Sequence, residues 1–145
     1  MNKINYFFEE IERFKYGLPS KRWIASCLSK EGWNVGVLNF IFCSDKYLQK
    51  VNKKYLRKSY LTDVISFNNP PPNFIKTPNQ PVVFGDIFIS IDRVKENKKV
   101  YKTILANELK RVMIHGALHL IGFNDKTRKD RGVMAEKENM YIEVK

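Results

Sequence analysis

The chain has 145 residues, of which 43% are apolar and 13% aromatic, a composition that fits one folded domain spanning residues 1–145 and argues against disorder. It carries 26 Lys and Arg residues against 15 Asp and Glu residues, so its net charge is +11. No apolar segment is long enough to cross a bilayer and the N-terminal residues lack the pattern of a signal peptide, so we expect a cytoplasmic protein with no membrane partner.

Segments typical of helices and strands alternate along the chain. Residues 68–81 hold five of the six prolines and are predicted to form a surface loop between two strands. The other predicted elements are a helix in 19–32, a strand in 36–44, a basic helix from 45 to about 56, strands in 62–67 and 82–91, and a short helix near Asp92. This order predicts an α+β (mixed α/β) single domain with a central four- or five-stranded sheet.

Much of the positive charge is clustered, for example between Lys46 and Lys58. Such clusters attract polyanions, above all nucleic acid, through contacts with phosphate groups. A solvated surface explains them almost as well, so charge alone favours an RNA or DNA partner without identifying one.

The segment 103–121 is predicted to form a buried helix packed on the sheet. Apolar side chains cover nearly its whole circumference, which is typical of a helix in the centre of a domain. One stripe is polar, with residues spaced three and four apart: Glu108, Arg111, His115 and His119. Buried polar groups need partners, so this stripe is expected to border a cleft or to bind a ligand.

The only two histidines of the chain, His115 and His119, lie one helical turn apart and can direct ring nitrogens to one point. Two hydrogen-bonded core histidines are the alternative. Gly122 can end the helix, and a capping box at residues 127–130 begins another, which holds Asp125 in a short corner near both rings. The three side chains are predicted to bind a metal ion and to leave one position open, as catalytic zinc sites do. Gly116 stands where HExxH peptidases have their general base.

The segment HGALHLIGFND, residues 115–125, resembles the HGxLHLxGYDH signature of the YbeY-type endoribonucleases, which are metal-dependent ribosomal RNA maturation factors of bacteria. Asp125 occupies the place of the third histidine. The similarity continues over most of the last two-thirds of the chain, at positions listed here: Asn52, Tyr55, Thr62, Asp63, Val64, Ser66, Phe67, Gly85, Asp86, Ile87, Met134 and Glu138. The family commonly has an arginine directly after the tyrosine; here that residue is Leu56, and Arg57 follows.

The resemblance implies a single-strand endoribonuclease that acts in ribosomal RNA maturation, with RNA as its partner, an association with the ribosome or ribosomal proteins, and no organic cofactor. It implies one Zn²⁺ ion, other divalent metals being possible, held by His115, His119 and Asp125. These three residues and Arg57 are the predicted catalytic residues. Arg57 is preferred over Arg111 for binding phosphate, although a solvated basic surface explains Arg57 nearly as well.

Two side chains near the predicted site have more than one interpretation. Glu108 either pairs with Arg111 or fixes the tautomer of a histidine. Asp125 in place of a histidine leaves the metal with one positive charge less, so we expect a less acidic bound water and better tolerance of harder divalent ions. Asp63 and Asp86 are interpreted as strand-end or turn residues.

Two other functions remain compatible with the sequence. A metal-dependent hydrolase of another substrate would share the site but would leave the charge of +11 unexplained. A non-catalytic RNA- or ribosome-binding factor would need a fourth ligand to close the metal site, from Cys27, Cys43 or a carboxylate. The two cysteines are expected to be buried and reduced.

Overall fold

A computed structural model of the chain describes residues 3–56, 62–76, 79 and 81–145. The elements follow one another as β1 (Lys3–Glu9), α1 (Lys21–Lys30), β2 (Asn34–Cys43), α2 (Asp45–Leu56), β3 (Val64–Asn68), β4 (Val82–Ser90), α3 (Ile91–Val100), α4 (Leu105–Leu120) and α5 (Arg128–Ile142). The predicted α+β fold is confirmed, and the sheet, predicted to have four or five strands, has four.

The four strands lie in the order β1-β2-β4-β3. β1 and β4 both pair with β2 in parallel, whereas β3 pairs antiparallel to β4 and forms one edge of the sheet. β1 was not predicted, because its sequence KINYFFE has charged residues at both ends and no strict alternation. Its pairing with β2 completes the sheet.

Helices pack on both faces of the sheet. One face of β2 and β4 is apolar, and the other has Asn39 and Asp86 among apolar residues. The main core joins α1, α4 and α5 to one face through buried residues such as Trp23, Phe40 and Leu118. A smaller cluster of Cys43, Leu48, Val51 and Ile65 packs α2 against the other face. Within the described residues no helix is both long and apolar enough to cross a membrane.

Serine side chains cap the start of three helices. Ser20, Ser44 and Ser90 each accept a hydrogen bond from the backbone N–H three residues later, at the start of α1, α2 and α3. The capping box predicted at residues 127–130 is present at the start of α5. Cys27 and Cys43 are free and buried, as expected.

α4 approaches the sheet closely at Gly116. A Cβ atom at this position would lie 2.8 Å from Ile87 Cγ2 and 3.0 Å from both Ser66 Oγ and Val64 Cγ2. The Ser66 hydroxyl donates a 2.9 Å hydrogen bond to the Gly116 carbonyl. The residue after the first histidine is therefore a glycine because the helix rests on β3 and β4 there, which fixes the height of His115 above the sheet.

We predict that Gly116→Ala has a free energy of unfolding about 1–3 kcal/mol lower than that of Gly132→Ala, because overpacking costs about 1–3 kcal/mol while both variants gain the better helix propensity of alanine. Gly132→Ala is the matched control, since a Cβ atom on this α5 glycine would have no neighbour within 4 Å. It should raise stability by up to about 1 kcal/mol. Urea unfolding in the presence of a chelator measures both, and equal stability of the two variants would contradict the prediction.

Candidate metal centre

The end of α4 presents the two histidines. Gly122 has φ of 109°, and the N–H groups of Gly122 and Phe123 bond to the carbonyls of His119 and Leu118, at 3.2 and 3.0 Å. This is a Schellman motif, which ends the helix and turns the chain back toward its last turn. The turn brings the Phe123 carbonyl and, two residues later, Asp125 to the side of the histidines.

Both imidazole rings are held through Nδ1. In His115 this atom lies 2.7 Å from Glu138 Oε2, and in His119 it lies 3.1 Å from the Phe123 carbonyl oxygen. A carbonyl and an ionised carboxylate can only accept hydrogen bonds, so each Nδ1 carries the proton. In the neutral rings the lone pair is therefore on Nε2 in both cases.

The two Nε2 atoms face one another at 3.0 Å. Asp125 Oδ2 completes a triangle with them, 3.6 Å from the Nε2 of His115 and 3.5 Å from that of His119. The side chains of His115, His119 and Asp125 are 21%, 30% and 47% exposed, so the triangle opens to solvent on the side of Asp125.

This arrangement fits a metal ion. Two lone pairs at 3.0 Å repel one another, and a cation between them converts the repulsion into bonding. Ligands of a tetrahedral zinc ion at about 2.0–2.1 Å lie about 3.3–3.4 Å apart; the observed separations of 3.0, 3.5 and 3.6 Å lie on both sides of that value. Among the described residues, this is the only group of three or more His, Cys, Asp and Glu side chains that could hold a metal ion.

α5 supports all three candidate ligands. Its Arg131 side chain donates to the backbone carbonyls of Asp125 and Lys126, at 3.3 and 3.2 Å. Lys137 lies over the ring of Phe123, with Nζ 5.1 Å from its centre, and is itself held by Glu31 at 2.9 Å. The next residue, Glu138, binds His115 directly.

The surroundings of His115 favour positive charge. Burial by itself lowers the pKa of the ring, but the hydrogen bond to Glu138 and the charges of Glu138, Asp63 and Asp125 outweigh it, so the pKa of His115 is raised. The same negative groups attract any cation at the ring, a metal ion included.

Glu108 pairs with Arg111, which was one of its two predicted roles. Arg111 Nε donates to Glu108 Oε1 at 3.0 Å, and its Nη2 makes a second contact with Oε2. The other predicted role was contact with a histidine. Glu138, which lies 23 residues after His115 in the sequence, makes that contact instead. Glu138 could be found from the sequence only as a position that matches the family. Nothing in the sequence indicated that the Phe123 carbonyl would hold Nδ1 of His119.

Four further residues were interpreted from the sequence: Arg57, Arg111, Asp63 and Asp86. Arg57 lies outside the described residues. Arg111 already contacts two carboxylates, those of Glu108 and Glu138, which disfavours it as a phosphate-binding residue. Asp63 lies directly before β3, as expected. Asp86 lies inside β4, not at a strand end, and accepts hydrogen bonds from the side chains of Asn39 and Asn69.

Comparison with known proteins identifies the family. The family model Endoribonuclease YbeY matches residues 5–144. The chain belongs to this family. It is 42% identical over 139 residues to the Endoribonuclease YbeY of Karelsulcia muelleri, covering 96% of this chain and 93% of the relative. It is 40% identical over 140 residues to that of Christiangramia forsetii, covering 97% and 92%. The predicted family and its enzyme class, an endoribonuclease, are confirmed.

The fold is similar to that of a solved structure, the solution structure of TM1509 from Thermotoga maritima, with a TM-score of 0.58. The two sequences are 22% identical, and the match covers 97% of this chain and 87% of the other. At this identity the likeness supports the fold alone. The assignment of His115, His119 and Asp125 as metal ligands in this YbeY-family chain stays a prediction, now with a geometry that fits it.

We predict that Glu138→Gln weakens metal binding about 10–100-fold, the usual effect of losing the partner that orients a ligating histidine. Glu138 uses one oxygen for His115 and the other for Arg111, whereas glutamine has only one acceptor oxygen. Glu136→Gln, an exposed position on the same helix, is the control and should leave affinity unchanged. Competition with a chromophoric chelator measures both, and equal affinities for the two variants would refute the role of Glu138.

Proposed function

We propose that the chain, residues 1–145, is a metal-dependent single-strand endoribonuclease that acts in ribosomal RNA maturation. The observation that carries this proposal is the open triangle of His115 Nε2, His119 Nε2 and Asp125 Oδ2 in a member of the Endoribonuclease YbeY family. The net charge of +11 supports a nucleic-acid substrate. A ribosomal RNA precursor as substrate implies contact with the ribosome or its proteins and action in the cytoplasm.

Zinc is the proposed metal, because two imidazoles and a carboxylate at these separations match a three-ligand catalytic zinc site. Such a metal supplies a Lewis acid that makes water a nucleophile at neutral pH and polarises a phosphoryl oxygen. His115 and His119 bind through Nε2 because Glu138 and Phe123 hold their Nδ1 protons. Asp125, the most exposed of the three, lies on the side from which an RNA strand can approach.

The phosphate groups of the substrate need a cation beside the metal. We propose Arg57 for this role, the residue directly after the basic helix α2 in sequence. Arg111, the alternative, contacts buried carboxylates on two sides. An arginine can offer two parallel N–H groups to a phosphate and keeps its charge at any pH of interest.

The two alternative functions receive less support. A structural metal site in a non-catalytic binding factor needs a fourth protein ligand, and among the described residues only three side chains converge. Cys27 and Cys43 belong to the apolar clusters on the two faces of the sheet instead. A hydrolase of another substrate has no counterpart in the family match.

Cleavage of a single-stranded ribosomal RNA fragment tests the proposal. We expect the native protein to cut it, a chelator to abolish cutting, and added Zn²⁺ to restore it. His115→Ala, purified identically, should lose activity about 100-fold or more, because it removes one of the three side chains that would hold the metal. Glu136→Gln serves as a control for purification and should cut normally. Equal cleavage by native protein and His115→Ala would show that a contaminant, not this site, cuts the RNA.

Asp125 should set which metal is preferred. We predict that Asp125→His raises the preference for Zn²⁺ over Mn²⁺ about tenfold or more, because an imidazole is a softer ligand than a carboxylate and leaves more charge on the metal. The ratio of the two dissociation constants, each measured by chelator competition, is the readout. An unchanged ratio would mean that Asp125 is not a ligand.

A further inference from the structure

Two buried carboxylates flank a single arginine beneath the metal centre. Glu108 and Glu138 retain only 2% and 6% of their accessible surface. Arg111 lies between them, with Nη1 3.5 Å from Glu138 Oε1 and with Nε 3.0 Å from Glu108 Oε1. Its guanidinium also lies over the ring of Tyr101, with Cζ 5.6 Å from the ring centre.

These contacts form a continuous chain from Glu108 through Arg111 and Glu138 to His115. The arginine contacts one oxygen of Glu138, and the other oxygen accepts the proton of His115 Nδ1 at 2.7 Å. Both oxygens of Glu138 therefore have one defined partner each. This fixes the plane of the carboxylate and, through it, the direction of His115 Nε2.

Electrostatics makes Arg111 necessary for this arrangement. A buried carboxylate is costly unless it is paired with a cation or with hydrogen-bond donors. Without the arginine, Glu108 and Glu138 would share a poorly solvated region with no cation between them. A Glu138 carboxylate that had rotated away would no longer accept the proton of His115 Nδ1.

We propose that Arg111 is a positioning residue of the metal centre, which holds the carboxylate of Glu138 in the orientation at which His115 binds the metal through Nε2. This role rests on the metal site of the proposed function and assigns the arginine to the metal, not to substrate phosphate. Glu108 in turn fixes Arg111, with two contacts to the guanidinium.

The test compares three variants by Zn²⁺ affinity, from chelator competition, and by the visible absorption spectrum of the Co²⁺-loaded protein, which reports the geometry of the ligands. Glu108→Gln combined with Arg111→Met removes both charges of the pair, so no charge of that pair is left buried alone. Arg111→Lys keeps a cation but replaces the rigid planar fork of donors by a single ammonium group on a flexible side chain, which orients Glu138 less well. Arg93→Met is the matched control, because Arg93 binds the carboxylate of Asp45 at 3.0 Å, outside the metal centre.

We expect the double variant to bind Zn²⁺ about tenfold or more weaker and to change the Co²⁺ spectrum, and Arg111→Lys to lie between it and the native protein. Arg93→Met should lower thermal stability but leave affinity and spectrum unchanged. If the double variant and Arg111→Lys both bind like the native protein, or lose no more affinity than Arg93→Met, the proposal is overturned.

The two proposals fail in different ways, because no RNA enters this experiment. If the native protein binds Zn²⁺ but does not cut RNA, the proposed function is contradicted and the role of Arg111 is unaffected. If the native enzyme is active and metal-dependent but substitution of Arg111 leaves its Zn²⁺ affinity unchanged, the proposed function stands and the role of Arg111 is overturned. Native protein that binds no metal would overturn both.

Discussion

The metal centre depends on the two hydrogen bonds that hold the Nδ1 atoms of His115 and His119. Each bond ends on a group that can only accept, the carboxylate of Glu138 and the carbonyl of Phe123. Both lone pairs are therefore directed to one point, and a cation relieves their repulsion. What distinguishes this pair of histidines is that both rings, when neutral, carry the proton on Nδ1, so that the two Nε2 lone pairs face each other at 3.0 Å.

α5 is the second helix of the site, and it supplies side chains that hold the candidate ligands in place. Its first turn follows Asp125 after two residues, its Arg131 holds the carbonyl of Asp125, and its Glu138 holds His115. The site thus lies where α4 and α5 pack together, and α4 itself packs closely against the sheet at Gly116. Changes that loosen the packing of α5 should disturb the metal centre before they disturb the sheet.

Sequence patterns predicted the parts of this site that are local in the chain. The spacing of His115 and His119, the helix end at Gly122 and the capping box at Thr127 were sufficient to bring Asp125 to the two rings. The fold class followed from the alternation of elements. β1 was missed because its pairing with β2, not its own pattern, makes it a strand. Glu138 could not be assigned a role because the α4–α5 packing angle decides whether it reaches His115, and Glu108 had two possible partners for the same reason.

The most direct test of the proposed metal site is a crystal structure of the zinc-loaded protein, with the ion located by anomalous scattering at the zinc absorption edge. We expect one ion bound by Nε2 of His115, Nε2 of His119 and a carboxylate oxygen of Asp125, with Glu138 still on Nδ1 of His115. An ion bound through either Nδ1 atom, or at another place in the chain, would contradict it.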